Sequence, residues 1–521
     1  MSSKQFFKTV AGASLLIILF NVLSRFLGLF REVIFANNFG VSQEFEIYLI
    51  TAVFPTVINT ILYYLGQNYF IPIYNKTKFE NEEALSLITH KSILFFTSIS
   101  FAAAIMLLIF STPLINFYVQ TNNPELLLLA VNAFRILLIT IPLTALISIL
   151  AAYHQAKYNF KLPIISQIIL NIVFIAILIL FSNSYSIYSI TMAYVSATCV
   201  QLIFLIFSTR EIFRKFNFKK VFNLKGYSAI SSSLFFILLI EVIGQVYVVF
   251  DRYFYDSVNP GGFAILNYST TIFILPIAFI SVSLSLALFP KISDSYFSKD
   301  KISFNRSISD ALLILAFLLT GFAIVFIFYG DFIIRLIYER GHFSSQDTVR
   351  SRDMLQILTL SLLFYGMYAI IHKVYFVVER VKPLFYINIL AISIKLISNS
   401  ILVLHYQERG LAISTVISYT FLFSVSIIYL IYKGNISISR STLYEFSLIL
   451  LNGFFALIVT YIISKLITTV FLSNSLFEII LFSAIYLINS IVIRSRIFDI
   501  FIASYLPEKL NGVKKILGNG L

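Results

Sequence analysis

Basic residues inside apolar stretches are the first candidates for chemistry in this sequence. Arg25 and Arg31 share one such stretch and lie on either side of Gly28. A guanidinium group binds phosphate or carboxylate through paired hydrogen bonds. A basic side chain at the centre of a membrane helix costs about 2.5–3.5 kcal/mol on insertion scales, so it persists where it has a function or a partner. The two arginines therefore predict an anion-binding site or, alternatively, an ion pair with an acid such as Glu46.

Three other charged residues within apolar stretches are candidates for a function. Glu241 and Lys395 are far apart in sequence, and we expect them either to form a buried pair or to take part in ion coupling through Glu241. A neutral, buried glutamic acid is the alternative for Glu241. Arg135 lies near the start of another apolar stretch, where it faces either a cleft or lipid head groups.

Residues for covalent catalysis or metal binding are sparse and scattered. The five histidines show no metal-ligand spacing, and the single cysteine, Cys199, excludes a disulfide framework. No phosphate-binding loop and no nucleophile motif occurs in the sequence. The sequence thus predicts a protein that is not an enzyme and that has neither a metal nor a cofactor.

Composition places the chain in a membrane. Hydrophobic residues make up 59% and charged residues only 12%, whereas soluble domains carry about 25% charged residues. The net charge is +14, but the basic residues lie in short loops between apolar stretches, which indicates anionic lipid head groups rather than nucleic acid as their partner.

Length and hydropathy predict an all-α polytopic protein with fourteen membrane-spanning helices. The predicted spans are 9–36, 46–72, 87–112, 125–152, 160–182, 187–209, 228–250, 263–290, 308–330, 353–379, 383–404, 410–432, 444–470 and 475–494. Lysine and arginine are concentrated at the two ends of the chain and in every second loop, so the positive-inside rule places both termini in the cytoplasm.

An internal repeat organises the spans. The stretch 157–180 is similar to 377–404, and the stretch 30–40 is similarly placed to 250–262. In both pairs the first stretch lies about 220 positions before the second. A repeat of six spans inserts both copies with the same orientation. We therefore expect two six-helix lobes, 1–222 and 223–440, with a substrate cleft between them. Helices 13 and 14 follow in 441–498, and a cytoplasmic tail occupies 499–521.

Several motifs resemble one transporter family. The stretches SRFLGLFREVIFANNFG (24–40), GQNYFIPIYNK (66–76) and YERGHFSSQDT (338–348) are similar to signatures of the MurJ/MviN family of lipid II flippases, within the MOP exporter superfamily. The resemblance covers nearly the whole chain. It implies alternating access, a cationic cavity for a sugar-diphosphate head group, and a groove at 441–498 for the polyprenyl tail.

The resemblance also assigns residues. Arg25 and Arg31 match the cavity arginines of the family, and Glu46 matches an acid at the start of helix 2. The predicted substrate-binding set contains, in addition, Asn59, Gln67, Asn68, Thr271 and Arg135. Asp347, in the third motif, is expected to cap the following helix.

Two positions depart from the family pattern. Asn59 lies where the family usually has a basic residue in helix 2, and Thr271 lies in a Ser-Thr-Thr sequence where it usually has Ala-Asp-Arg in helix 8. Both changes lower the positive charge of the implied cavity.

The function predicted is translocation of lipid II, the undecaprenyl-pyrophosphate-linked peptidoglycan precursor, across the bacterial cytoplasmic membrane. We expect a monomer that is coupled to the membrane potential or to a monovalent cation. The alternatives are a flippase for another lipid-linked oligosaccharide, of the O-antigen or exopolysaccharide type, and a non-transporting paralogue.

Overall fold

The structure is a computed structural model that describes residues 10–80, 85–119, 123–214, 232–467 and 475–492. Within these ranges the chain is helical and contains no β-strand. The predicted tail, 499–521, lies outside the described residues.

The helices are named here in chain order. The helices before residue 231 are α1 (Val10–Phe39), α2 (Gln43–Thr51), α3 (Val53–Leu65), α4 (Ile71–Glu80), α5 (Leu85–Ile109), α6 (Ser111–Tyr118), α7 (Pro124–Leu138), α8 (Thr140–Ala156), α9 (Lys161–Tyr185), α10 (Ile187–Ser208) and α11 (Arg210–Arg214). Those after it are α12 (Ser232–Arg252), α13 (Gly262–Pro276), α14 (Val282–Phe297), α15 (Lys301–Tyr338), α16 (Ser345–Thr359), α17 (Leu362–Val377), α18 (Val381–Tyr406), α19 (Glu408–Tyr432), α20 (Arg440–Ile467) and α21 (Ser475–Val492).

The helices confirm an all-α, multi-span membrane protein. Among the described residues, 11 continuous helical runs are long and apolar enough to cross a membrane, or 12 if α16 and α17, bent by 47°, form one span. Helices α1 and α12 coincide with the first and seventh predicted spans but are not included in that count. Fourteen crossings therefore remain a prediction.

Helix starts follow local capping chemistry. Asn123 precedes Pro124, the first residue of α7, and its side-chain oxygen accepts the Glu125 N–H at 3.0 Å. Before α16, the Asp347 carboxylate accepts the Ser344 N–H at 2.9 Å, and the Ser344 hydroxyl accepts the Asp347 N–H at 3.3 Å. This reciprocal arrangement is a capping box: Ser344 caps the helix, and Asp347, its third residue, takes part in the cap as predicted.

Asp300 immediately precedes α15 and lies outside the membrane-spanning segments. Its carboxylate accepts the Ser303 N–H at 3.0 Å. Hydrogen bonds from the Ser303 side chain and backbone hold the pKa of the Asp300 carboxyl below its ordinary value. This solvent-exposed cap begins a helix of 38 residues.

Two of the long helical runs contain a π turn. Gly66–Phe70 joins α3 to α4, and Ile277–Ser281 joins α13 to α14 directly after Pro276. A π turn shifts the helical register and often accompanies a functional region. At the first of these turns, a Cβ on Gly66 would lie 2.7 Å from the Ser148 carbonyl oxygen, so the turn depends on glycine to let α8 approach.

The described chain forms two compact units that interleave along the sequence. The first contains residues of Met1–Tyr268, Ile337–Ser351 and Lys395–Leu411, and the second contains residues of Ser269–Leu336, Arg352–Ile394 and Ala412–Leu521. The contiguous lobes 1–222 and 223–440 were derived from the sequence repeat, whereas these units reflect packing. The predicted lobe boundaries therefore remain a prediction.

An aromatic cluster forms part of the core of the first unit. Phe35 of α1 is 2% exposed, and its ring lies 5.3 Å from the ring of Phe45 and 5.9 Å from that of Phe174 on α9. Rings at such separations pack favourably beyond the area that they bury. The cluster fixes the end of α1 against α2 and α9.

In the second unit, α21 packs on α15 and α20. The Tyr486 ring stacks on Phe317 at 4.6 Å, and its hydroxyl donates to the Phe317 carbonyl at 3.0 Å. The Asn452 side chain donates to the Tyr486 carbonyl at 3.1 Å. A Cβ on Gly453 would lie 2.6 Å from the Ile324 side chain, so glycine permits this close helix contact.

Gly66→Ala should destabilise the protein, because the added methyl group collides with the backbone of α8. Overpacking of this kind costs about 1–3 kcal/mol. The measurement is thermal unfolding of the purified protein in detergent. Gly244→Ala is the matched control, since a Cβ on Gly244 meets nothing within 4 Å. Equal unfolding temperatures for the two variants would contradict the packing described for the π turn.

Candidate functional site

The candidate site begins with Arg31 near the end of α1. Its guanidinium donates to Glu32 at 3.1 Å, and the Glu32 carboxylate also accepts from Asn267 of α13 at 3.2 Å. The guanidinium carbon lies 5.3 Å from the centre of the Phe174 ring. Charge pairing and cation–π contact thus hold Arg31 in place.

Glu46 of α2 binds backbone groups rather than an arginine. It is 1% exposed, and its two oxygens accept the N–H groups of Gly261 at 2.8 Å, Phe263 at 2.7 Å and Ala264 at 3.3 Å. These groups are at the start of α13, where free N–H groups favour a negative charge. Glu46 therefore caps α13 from a distant position in the sequence, and the ion pair of Arg31 is formed with Glu32 instead.

A polar pocket adjoins this arrangement within the first unit. Its volume is about 210 Å³, and its charged lining residues are Arg31, Glu32 and Arg252. The remaining lining residues are Phe35, Tyr48, Leu49, Ala52, Val53, Thr56, Val57, Gln245 and Asn267. Helices α1, α2, α3, α12 and α13 all contribute side chains. Two guanidinium groups at the wall of one pocket are suited to a phosphate-like anion.

Arg252, the last residue of α12, was not predicted as a site residue. It is 8% exposed, and its guanidinium carbon lies 4.9 Å from the centre of the Phe263 ring. The predicted seventh span, 228–250, ends before Arg252, which hydropathy thus placed in a loop. The internal repeat could have pointed to Arg252, because the match of 30–40 to 250–262 aligns the pair Arg31-Glu32 with Asp251-Arg252.

Other predicted site residues lie elsewhere in the structure. Arg25 is exposed and is not a lining residue of the pocket. Arg135, also exposed, donates to Ser111 at 2.9 Å and to Thr112 at 3.4 Å. The substrate-binding roles assigned to both remain predictions.

The uncharged members of the predicted set are dispersed. Asn59 is buried in the first unit and donates to Thr140 at 3.0 Å. Gln67 and Asn68 belong to the π turn of the second predicted span, and Asn68 donates to the Tyr64 carbonyl at 3.0 Å. Thr271 is half-buried and belongs to the second unit. Their roles toward a substrate stay predictions.

Lys395 of α18 pairs with an acid that the sequence analysis did not select. It is 3% exposed, and its ammonium group lies 2.7 Å from the Asp251 carboxylate. Asn399, one turn later, donates to the other Asp251 oxygen at 3.0 Å. The Glu241 side chain lies outside the described residues, so the proposed Glu241–Lys395 pair and the ion-coupling role remain hypotheses.

Most of this chain is similar in sequence to known proteins. The family model described as "Lipid II flippase MurJ" matches residues 35–482. The chain is similar to "Lipid II flippase MurJ" of Thermosipho africanus, with 28% identity over 463 residues, 87% of this chain and 91% of that protein. It is also similar to "Probable lipid II flippase MurJ" of Borreliella burgdorferi, with 25% identity over 459 residues, 87% of this chain and 88% of that protein.

Two solved structures resemble the structure of this chain. The structure titled "Lipid II flippase MurJ, inward closed conformation" aligns with a TM-score of 0.75 and 27% identity over 92% of this chain and 99% of that chain. An inward-facing MATE family transporter of the MOP superfamily aligns with a TM-score of 0.64 and 12% identity over 79% of this chain and 94% of that chain. The second likeness concerns the fold alone.

Glu46→Ala should lower stability strongly. It removes the acceptor of three backbone N–H groups, and each buried group left without a partner costs about 1–3 kcal/mol. Glu46→Gln keeps one acceptor oxygen and should have an intermediate effect. Thermal unfolding measures both, with the exposed Glu125→Ala as control. An unfolding temperature of Glu46→Ala equal to that of the control would exclude the capping role.

Asp251→Asn and Lys395→Met should each destabilise the protein more than the double variant does. Removing one partner leaves the other as an uncompensated buried charge, at a cost of about 3–5 kcal/mol. A double-mutant cycle on unfolding free energies gives the coupling. Additive effects of the two substitutions would show that the ion pair contributes nothing to the fold.

Proposed function

The chain belongs to the lipid II flippase MurJ family, and from this premise we propose that it translocates lipid II across the bacterial cytoplasmic membrane. The observation that carries the proposal is the match of one flippase family over most of the sequence. The polar pocket supports it independently, because its guanidinium groups, Arg31 and Arg252, suit a diphosphate. The two relatives described above are named as a lipid II flippase and a probable lipid II flippase. We therefore prefer lipid II over another lipid-linked oligosaccharide as the substrate.

In this proposal the diphosphate of the substrate binds at Arg31. Glu32 holds the Arg31 guanidinium at 3.1 Å, so the side chain is oriented before the substrate arrives. Such preorganisation reduces the entropy lost on binding. The head group then passes across the membrane by alternating access between the two predicted lobes, 1–222 and 223–440.

An apolar groove in the second unit suits a short segment of the polyprenyl tail. It has a volume of about 250 Å³ and lies between α15 and α21. Its lining residues are Phe317, Leu318, Gly321, Phe322, Val325, Ile479, Phe482, Ser483, Tyr486 and Leu487. Apart from one serine and the tyrosine hydroxyl, which is bonded to the Phe317 carbonyl, the lining is hydrocarbon or aromatic. This surface supports the tail groove implied for 441–498.

Translocation requires no covalent change in the substrate, and we propose that the protein acts without enzymatic activity or a cofactor. It acts as a monomer with both termini in the cytoplasm, consistent with the positions of the basic residues. Energy comes from the membrane potential or a monovalent cation gradient. Collapsing each gradient separately with an ionophore in cells that depend on this protein tests the source.

Arg31→Ala should abolish function while the protein still accumulates in the membrane. The substitution removes the guanidinium from the pocket and leaves Glu32 without its cationic partner. The assay is growth of a bacterium depleted of its own lipid II flippase and supplied with this chain. Arg25→Ala in the same assay tests the role predicted for the exposed arginine.

The control is Arg306→Met, because Arg306 is 73% exposed and its ion pair with Asp310 is long, at 3.9 Å. Failure of the wild-type chain to support growth, at an expression level equal to that of the native flippase, would reject lipid II as the substrate. Normal growth with Arg31→Ala would instead reject the pocket as the head-group site.

A further inference from the structure

A further cavity lies within the second unit, apart from the apolar groove. Its volume is about 480 Å³, and it is formed by the end of α14, the start of α15 and the turn after α19. Pockets that bind small molecules measure about 300–1,000 Å³. Lys299 and Lys301 line this cavity, and no carboxylate occurs among its described lining residues. The cavity therefore presents two positive charges without a neutralising group in its wall.

The two lysines are available to a ligand. Both are exposed, and in the described part of the chain neither forms an ion pair. Asp300 lies between them in sequence, but it is not a lining residue, and its carboxylate accepts the Ser303 N–H at 3.0 Å. The loop 291–306 contains four basic and two acidic residues, a net charge of +2. An anion is the ligand that suits this wall.

The turn that carries Lys299 does not require a lysine. Lys299 has a φ of +62°, and the Asp300 N–H donates to the Ser295 carbonyl at 3.0 Å, which closes the end of α14. The opposite wall is the turn after α19, where Gly434 holds the same left-handed conformation with a φ of +67°. Glycine adopts this conformation without strain, whereas a residue with a Cβ does not. The fold alone would thus favour glycine at position 299.

Hydrogen bonds and ring packing fix the shape of the cavity. The Asn305 side chain of α15 accepts the Ser437 N–H at 2.8 Å and donates to the Lys301 carbonyl at 2.9 Å. The rings of Tyr296 and Phe304, both in the lining, lie 5.4 Å apart. The two turns are therefore held together, and the lysines are attached to a formed site.

The cavity lies at the depth of lipid head groups. The predicted spans end at residue 290 and resume at residue 308. At a rise of about 1.5 Å per residue, the lining residues Ser295–Phe297 and Phe304 lie roughly 6–10 Å beyond the hydrocarbon core. The head-group layer of each leaflet is about 5–8 Å thick. The positive-inside rule predicts that this loop is cytoplasmic, where the leaflet is anionic.

Exposed apolar side chains flank the same turn. Phe297, at the end of α14, is 65% exposed, and Ile302, in the first turn of α15, is 82% exposed. Tyr432, at the end of α19, is 81% exposed, and the Lys433 ammonium lies 5.4 Å from the centre of its ring. A soluble anion has no use for such a surface, whereas the upper acyl chains of a lipid can pack on it.

We propose that this cavity binds the head group of an anionic phospholipid of the cytoplasmic leaflet, with Lys299 and Lys301 contacting its phosphate. The acyl chains pack beside Phe297 and Ile302. The site lies outside the polar pocket and the apolar groove, so the ligand is a lipid of the surrounding membrane rather than the transported one. It links α14, α15 and the turn after α19 to the membrane surface.

The test compares two double variants that remove the same charge from one loop. Lys299→Gly/Lys301→Gln removes both lysines of the cavity, and the glycine relieves the left-handed turn. Lys291→Gln/Arg306→Gln is the matched control, because neither residue lines the cavity and both are exposed. The two single variants of the cavity, Lys299→Gly and Lys301→Gln, are measured as well.

The experiment uses the purified full chain in a non-ionic detergent. Dioleoylphosphatidylglycerol, dioleoylphosphatidylcholine and soluble glycerophosphoglycerol are titrated separately, and the unfolding temperature gives the affinity for each. The first probe carries the anionic head group with its chains, the second has a zwitterionic head group, and the third has the anionic head group without chains. Lipid II transport is not a readout, so the test is independent of the proposed function.

Dioleoylphosphatidylglycerol should stabilise the wild type more than either other probe does. Each single variant should weaken its binding by about fivefold and the double variant by about 25-fold, the effect expected for one and two lysines at an anionic surface. The control double variant should bind as the wild type does. Without lipid, the unfolding temperature of the cavity double variant should equal or exceed that of the wild type.

Four results would overturn the inference. Equal weakening by the two double variants would show attraction to the general charge of the loop. Equal stabilisation by the two lipids would exclude recognition of an anion, and binding of glycerophosphoglycerol as tight as that of the lipid would identify a soluble ligand. A lowered unfolding temperature of the lipid-free cavity double variant would assign the lysines to the fold.

Discussion

A charge buried in this apolar protein is costly unless a partner neutralises it. Within the first unit, Glu46 obtains three backbone N–H groups, Lys395 obtains Asp251, and Glu32 obtains Arg31 and Asn267. These pairings connect α1, α2, α12, α13 and α18, so the arrangement of the helices depends on them as well as on apolar packing. The cost of leaving one such group alone is several times the gain from an ordinary hydrogen bond.

The free-energy cost of an unpaired buried polar group also identifies a part of the first unit that lowers the stability of the fold. Among the described residues, the Arg31 and Arg252 guanidinium groups at the wall of one pocket each retain an Nε without a hydrogen-bond partner. Binding sites are often less stable than the rest of a fold, because groups that await a ligand remain incompletely bonded. The contact of Arg252 with Phe263 thus places a guanidinium of α12 beside α13, at the wall of the pocket that contains Arg31.

The sequence was sufficient for the fold class and the family but not for the composition of the site. Hydropathy identified the spans because 20 or so apolar residues admit few alternatives in lipid. Arg31 was recognised because a cation inside an apolar stretch is rare. Glu46 was selected as a substrate-binding residue, a role that stays a prediction. Its partners could not be predicted, since they are backbone groups of residues 261–264, more than two hundred positions away.

Arg252 and Asp251 were missed for a different reason. They lie at the end of α12, where hydropathy alone assigns charged residues to a loop. The π turns at Gly66–Phe70 and Ile277–Ser281 were also beyond prediction, because their residues have ordinary helical composition. Placement of such features depends on which helices meet, and a single sequence does not specify those contacts.

The most direct test of the account is translocation of lipid II by the purified wild-type chain in proteoliposomes. Fluorescent lipid II is incorporated on both leaflets, and a membrane-impermeant quencher reports the pool that reaches the outer face. We predict quenching of the inner-leaflet pool when a membrane potential or a cation gradient is imposed. Protein that is folded and inserted yet leaves the inner pool protected, while an established lipid II flippase exposes it, would contradict the account.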